Sequence, residues 1–233
     1  MRTVNMEITP YYDKQITCIH CKSNFNTTKI RKSTVKIVTS DTDFKSNYYS
    51  VNPTLYNVFV CEHCGLAFTE DFSNYFPPGT QESLQRRICD HWTKHSFNGE
   101  RSLNQAIQAY QLAIICGEIK KEKHVVLAGL ALRTAWLYRE QEKFDWEMRF
   151  LESARDEYIE CYLHGDYRGT PMTEIRVLYL IGELSRRIND EETAIKHFSK
   201  VIEKQRTTNE TRIIQMTKDI WQEMRGSNNK EIS

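Results

Sequence analysis

The sequence predicts a mostly helical α+β protein, in which a small β module at residues 1–78 precedes an array of helices at residues 79–225. Two Cys-x-x-Cys pairs and four of the five prolines lie in the first part, with short stretches rich in β-branched and aromatic residues. The second part consists of long helix-forming segments joined by short breaks. Residues 226–233 are predicted to form a flexible tail.

The first part is organised around two cysteine pairs, Cys18 with Cys21 and Cys61 with Cys64. Four thiolates in two such pairs are the usual donors of a closed, tetrahedral structural zinc site. Gly65 follows the second pair directly, where a tight turn often requires a positive φ. We therefore predict a zinc-ribbon-like module that binds Zn²⁺ through these four sulfurs. Such a site leaves no open coordination position for catalysis.

Other roles for the sulfurs remain as alternatives. A redox dithiol normally opens a helix in a βαβ unit, which neither pair does, and disulfides would require an oxidising compartment. His20 and His63 lie inside the pairs and are expected to be exposed turn residues rather than ligands. Cys89, Cys116 and Cys161 fall in predicted helices and are expected to behave as small buried hydrophobic residues.

Short strands account for most of the rest of the module. They are predicted at residues 15–18, 25–30, 34–39, 57–61 and 66–68, with a loop at 41–53. A module of this size has a small core, and a structural zinc would supply the stability that the core lacks.

One stretch of the module is basic and has no acidic residue between positions 15 and 40; it contains Lys22, Lys29, Arg31, Lys32 and Lys36. Basic strands near aromatic residues occur in nucleic-acid-binding proteins, so a nucleic-acid-binding regulator is an alternative function. Ordinary surface lysines are the simpler interpretation. The whole chain has 32 Lys and Arg against 31 Asp and Glu, and this balance gives no general attraction to polyanions.

Hydropathy and the N-terminus bear on location. No apolar run approaches the ~20 residues needed to cross a bilayer, and residues 1–7 lack the apolar core of a signal peptide. We expect a cytoplasmic protein without membrane contact, in a compartment where thiols stay reduced.

The second part is predicted to contain seven helices, at about 81–96, 101–119, 123–140, 144–162, 172–188, 191–205 and 210–225. The connection at 164–171 is longer than the others. Five residues of the last helix form one apolar stripe that suits a capping helix, with a partner-binding use as the alternative: Ile213, Ile214, Ile220, Trp221 and Met224.

The helices carry a repeated pattern. Gly182 is followed twelve residues later by Ala194 and four after that by Phe198, which resembles the tetratricopeptide repeat. In that repeat small residues let paired helices approach, and the aromatic ring fills the seam. The pattern predicts a tetratricopeptide-like array, and an ordinary helical bundle is the alternative.

Two further copies are looser. One fits Ala135, Tyr138, Phe144, Leu151 and Ala154 and departs from the pattern at Glu147, and another fits Ala106, Tyr110 and Ala113. In such an array the first helix of each pair lines a concave face. This register places five residues in a partner-binding groove, which we call the groove cluster: Trp136, Arg139, Tyr179, Glu183 and Arg186. Arginine and aromatic side chains commonly anchor peptides and acidic groups.

Four stretches carry a resemblance to a known family: Cys18–Cys21, Ser40–Phe44, Asn52–Gly65 and Glu183–Lys200. Together they resemble the bacterial family called "domain of unknown function 2225". That family often has proline after the first cysteine of each pair, where this chain has Ile19 and Glu62. The resemblance implies a zinc module followed by tetratricopeptide-like helices, and it implies no activity.

The leading hypothesis is a non-enzymatic scaffold that binds a protein or peptide partner and contains a structural zinc. Besides the nucleic-acid-binding alternative, an enzyme is a third hypothesis. His91 and His95 lie four apart on a predicted helix and could pair as metal ligands, with Cys89 or Asp90 nearby. The sequence contains no His-Glu-x-x-His motif or Gly-rich phosphate loop that would support catalysis.

Overall fold

The computed structural model describes residues 9–228 and confirms the mostly helical α+β class. Within these residues the chain forms seven α-helices and three two-stranded antiparallel sheets. It divides into two compact units. The first comprises the described residues up to Asp41 together with Ser46–Glu122, and the second comprises Thr42–Lys45 together with the chain from Lys123 onward. No helix in the described part of the chain combines the length and apolarity needed to cross a membrane.

The strands of the first unit pair in chain order. β1 (Tyr11–Thr17) pairs with β2 (Asn24–Ile30), β3 (Ile37–Ser40) with β4 (Ser46–Tyr48), and β5 (Phe59–Val60) with β6 (Ala67–Phe68). The first and third hairpins are closed by the two cysteine pairs. The predicted loop at 41–53 is wrong at residues 46–48, because these polar residues hydrogen-bond to β3 along their backbone.

Two helices belong to the first unit, α1 (Thr80–Arg87) and α2 (Leu103–Lys120). The Tyr110 hydroxyl donates a hydrogen bond to the Thr54 carbonyl, and the Ala67 amide donates to the Cys116 sulfur. The unit therefore extends to Glu122, whereas the predicted β module ended at residue 78.

The third predicted repeat copy is wrong, because its helix, α2, belongs to the first unit and not to the helical array. Ala106, Tyr110 and Ala113 are fully buried, but α2 packs on β6 and on the short 3₁₀ turn Pro53–Tyr56, within the first unit. The helix predicted at 81–96 also ends early. It stops at Arg87, and a 3₁₀ turn at Cys89–His91 leads into irregular chain.

The second unit contains α3 (His124–Glu140), α4 (Phe144–His164), α5 (Glu174–Arg187), α6 (Glu191–Glu203) and α7 (Thr211–Asn228). Consecutive helices pack as pairs, α3 with α4 and α5 with α6. α7 packs on α5 and α6 and buries Ile213, Ile214 and Ile220. It extends three residues into the predicted tail, whose remaining residues, 229–233, lie outside the described part.

The predicted close approach between α5 and α6 is present. A Cβ added to Gly182 would lie 2.7 Å from the ring of Phe198, a distance that real Cβ contacts do not show. Ala194 and Phe198 are fully buried. In the α3–α4 pair, Ala135 and Ala154 are also fully buried, whereas Phe144 is 67% exposed and does not fill a seam.

Candidate metal centre and helical groove

The four predicted cysteines meet in the first unit. The Cys18 and Cys64 sulfurs are 3.7 Å apart and those of Cys21 and Cys61 are 3.6 Å apart, and all four lie within 4.8 Å of one another. A tetrahedral zinc with Zn–S bonds of about 2.3 Å would separate its sulfurs by about 3.8 Å, whereas a disulfide would bring two of them to about 2.0 Å. The cysteines are free thiols. Their spacing is that of a metal site.

The same backbone turn presents each pair. The amide of Lys22 donates to the carbonyl of Cys18, and the amide of Gly65 donates to the carbonyl of Cys61. Lys22 and Gly65 both adopt positive φ, 62° and 75°. Only Gly65 must be glycine for steric reasons as well, because a Cβ there would lie 2.5 Å from the indole of Trp92.

Trp92 closes over the second turn. Its Nε1–H donates to the carbonyl of Glu62 at 2.9 Å. This contact gives a reason for the early end of α1, since the chain must leave the helix to bring the indole over Gly65. The sequence offered no spacing rule that links Trp92 to the cysteines.

The electrostatics of the sulfurs favour a cation. Hydrogen bonding with Cys18 lowers the pKa of the Cys61 thiol to about 2. Hydrogen bonding with Cys18 instead raises the pKa of Cys64, and hydrogen bonding with Cys61 raises the pKa of Cys18 to about 12. Four sulfurs at these distances cannot all ionise on their own, and a divalent ion would supply the missing charge.

The two histidines inside the cysteine pairs and the three remaining cysteines differ in burial and in contacts. His63 is exposed, as predicted, and its Nε2 lies 3.3 Å from the carbonyl oxygen of Asn24. His20 is half-buried, contrary to the prediction, and its buried Nδ1 has no hydrogen-bond partner in the described part of the chain. Cys116 and Cys161 are buried as predicted, whereas Cys89 is only half-buried and its thiol hydrogen-bonds with Cys64 of the site.

The predicted basic stretch is mostly exposed: Lys22, Arg31, Lys32 and Lys36 lie at the surface. Lys29 is largely covered beside the Phe59 ring and lies 3.5 Å from Glu70, and burial lowers its pKa. His91 and His95 do not share a helix, and His95 stacks on Trp92 at 4.2 Å between ring centroids. The proposed histidine pair therefore lacks its helical basis.

The groove cluster does come together in the second unit, and it surrounds residues of this same chain. The turn Thr42–Lys45, which we call the docked turn, lies against α3 and α5. Arg139 donates to both carboxylate oxygens of Asp43, at 2.6 Å and 3.3 Å, and Trp136 Nε1 donates at 3.1 Å. Asp43 is fully buried. The sequence analysis named these residues but not the turn of the same chain that they surround.

Thr42 of the docked turn also hydrogen-bonds to residues of α5. Its carbonyl accepts from the Tyr179 hydroxyl at 2.7 Å, and its own hydroxyl donates to Glu183 at 2.5 Å. Arg187 donates to the same hydroxyl at 2.9 Å. The Phe44 ring then lies 5.3 Å from the ring of Tyr179, and Phe44 adopts a positive φ of 69°.

A second layer of charges holds these groups. Glu183 is fully buried and accepts from Arg186 and Arg187 at 2.7–2.9 Å. Glu147, the departure from the repeat pattern, accepts from Arg139 Nε at 2.6 Å. Arg186 thus supports Glu183 and does not touch the turn in the observed contacts. Arg187 was missed, although its position four residues after Glu183 on one helix signals an ion pair.

The arginines determine the charge state of Asp43. Burial alone would raise the pKa of this carboxyl, but the hydrogen bond from Arg139 and the charge of Arg187 outweigh burial and lower it. Asp43 is therefore an anion at neutral pH. Burial raises the pKa of Tyr179, which keeps its hydroxyl protonated as the donor to Thr42.

A protein-family model described as "Uncharacterized protein conserved in bacteria (DUF2225)" matches residues 11–224. This range covers both units. No curated protein and no solved structure matches the chain.

Proposed function

Since the chain belongs to the DUF2225 family, whose description names no activity, we propose a function from its own contacts: a non-enzymatic scaffold that binds acidic peptide segments. Zn²⁺ would hold the first unit together through Cys18, Cys21, Cys61 and Cys64. Four thiolates leave the ion no position for substrate, so its role would be structural. Free thiols at such a site favour a reducing compartment such as the cytoplasm.

The observation that carries the proposal is the docked turn. A four-residue segment with Thr, Asp and Phe in succession is bound by an Arg fork, a Tyr hydroxyl on a backbone carbonyl and an aromatic contact. These are the contacts by which helical grooves recognise peptides of other proteins. The partner that this chemistry fits is a protein segment with a hydroxyl residue, an aspartate and an aromatic residue in that order.

The chain's own turn would compete with such a partner. A tethered segment acts at an effective concentration that reaches the millimolar range for short linkers. A free peptide with the same intrinsic affinity for the groove must therefore be present above this effective concentration before it displaces the turn. We therefore expect weak peptide binding to the native chain and stronger binding once the turn is weakened.

The test uses a fluorescein-labelled peptide with the sequence of residues 39–46 and the zinc-loaded full chain. A variant with Thr42→Gly, Asp43→Gly and Phe44→Gly should bind the peptide at least tenfold more tightly than the native chain, measured by fluorescence anisotropy. A control peptide with asparagine at the position of Asp43 should not bind, because it lacks the charge that Arg139 pairs with.

The outcomes separate binding from folding. A variant that retains its circular dichroism spectrum but does not bind the peptide would show that the groove is only a part of the fold. If the variant is destabilised, excess peptide should raise its melting temperature, and a melting temperature that does not respond would count equally against the proposal. The double change Arg139→Ala with Arg186→Ala is less informative, since it also removes one arginine partner from each of two buried carboxylates, Asp43 and Glu183.

A further inference from the structure

A second cluster of metal-ligating side chains lies in the second unit, far along the chain from the cysteines. His124 is the first residue of α3, and Glu160 and His164 lie one turn apart near the end of α4. One ligand atom from each of the three lies within 4.8 Å of the others. No sequence motif announces this group, because its members are separated by most of a helical hairpin.

The hydrogen bonds of both imidazoles leave the same nitrogen available. His124 Nδ1 lies 2.8 Å from a carboxylate oxygen of Glu157, and His164 Nδ1 lies 2.9 Å from the backbone carbonyl oxygen of Glu160. Both oxygens can only accept, so each Nδ1 carries the proton and each Nε2 keeps its lone pair. Metal-binding histidines are usually oriented in this way, with the second nitrogen donating to a carboxylate or a carbonyl.

The backbone around the cluster is held in place. α4 ends at Gly165, whose φ of 70° turns the chain, and the Asp166 amide donates back to the carbonyl of Cys161. The Asp166 carboxylate then accepts from the amide of His124 at 2.9 Å. The start of α3 is thereby fixed beside the end of α4, and the two imidazole rings lie nearly parallel, 5.4 Å apart.

The cluster is accessible to an ion from solvent. The side chains of His124 and His164 are 35% and 60% exposed, and that of Glu160 is 47% exposed. Two imidazoles and one carboxylate suit a borderline divalent ion such as Zn²⁺ or Ni²⁺, with water in the remaining positions. Oxygen-only ions such as Mg²⁺ and Ca²⁺ are disfavoured by two nitrogen ligands.

We propose that His124, Glu160 and His164 form a second site for a divalent transition metal, ligated by one imidazole nitrogen of each histidine and one carboxylate. The site differs from the cysteine site in every ligand. Its open positions distinguish it from a closed structural site, and it connects the first residue of α3 to the last turn of α4. It is independent of the proposed peptide binding, because it shares no residue with the groove cluster.

Isothermal titration calorimetry with Ni²⁺ and with Zn²⁺ tests the proposal on full chain that already contains one zinc. We expect one further ion per chain. His164→Ala should weaken this binding at least tenfold, and Glu157→Ala should weaken it by about 10- to 100-fold because it removes the acceptor that orients His124. His91→Ala, an exposed histidine of the first unit, is the matched control and should leave the titration unchanged.

Two results would overturn the proposal. One is a native chain that takes up no ion beyond the first at millimolar metal. The other is a second ion whose affinity is the same in the native chain and in His164→Ala. If His164→Ala alters the fold, the conservative change His124→Gln gives an independent reading, and retained binding in that variant would also reject the site.

Discussion

Replacing Asp43 with asparagine should destabilise the second unit by about 3 kcal/mol, the lower end of the 3–5 kcal/mol typical for removing one partner of a buried ion pair. Asp43 is fully buried and accepts from Arg139 and Trp136. The lower end applies because Arg139 keeps a second carboxylate, Glu147, 2.6 Å from its Nε. The asparagine keeps the shape of the side chain but loses the charge.

Urea unfolding followed by circular dichroism measures this effect. Asp145→Asn is the matched control, because Asp145 is exposed in the first turn of α4 and its charge is worth at most about 1 kcal/mol. A double-mutant cycle of Asp43→Asn with Arg139→Gln isolates the pair, and we expect a coupling energy of about 1–3 kcal/mol. A coupling energy near zero would show that the observed contact does not stabilise the unit.

The same pair predicts a pH dependence. The pKa of Asp43 is lower in the folded chain than its ordinary value of about 3.9. A lowered folded pKa means that the stabilisation is complete above the unfolded value and is lost as the pH falls through the folded one. The native chain should therefore lose more stability than Asp43→Asn between pH 5 and the acid limit of about pH 2. Parallel stability curves for the two proteins would refute the assignment.

Two further changes test the cysteine site and the helix seam. Cys61→Ser should abolish stoichiometric zinc in protein purified without added metal, measured by elemental analysis. Cys161→Ser, in the second unit, should retain one zinc per chain, and zinc-free native protein with an unchanged melting curve would contradict the site. Gly182→Ala should destabilise the second unit by about 1–3 kcal/mol through overpacking against Phe198. Gly129→Ala meets only the flexible end of one side chain and should be neutral or stabilising in urea unfolding, and equal effects of the two changes would reject the seam.

The parts that sequence predicted correctly are those set by local spacing. Two sulfurs three residues apart fit one turn, so the cysteine pairs needed only two such turns brought together. Tyr179, Glu183 and Arg186 lie on one helical face because of their spacing alone. The helices of the second unit were placed within a few residues for the same reason, since each carries its own periodic pattern.

The parts that sequence missed depend on distant contacts. The hydrogen bond from Thr42 to Glu183 joins residues 141 positions apart, and nothing in the composition of a polar loop announces such a partner. The spacing of small and aromatic residues on α2 is as regular as in a repeat, but α2 packs on β6. The same local spacing is therefore compatible with a neighbour that is not a paired helix. His124 and His164 likewise meet only because α3 and α4 pair.

Charge balance gives the strongest argument for what the groove accepts. Two arginines face the buried Asp43: Arg139 donates to both of its carboxylate oxygens, and Arg187 lies 3.7 Å from one of them. Without a carboxylate at this place, Arg139 would keep only Glu147 and Arg187 only Glu183 among these contacts, which is costly in a largely buried setting. We therefore expect any partner that replaces the docked turn to bring a carboxylate to the same place.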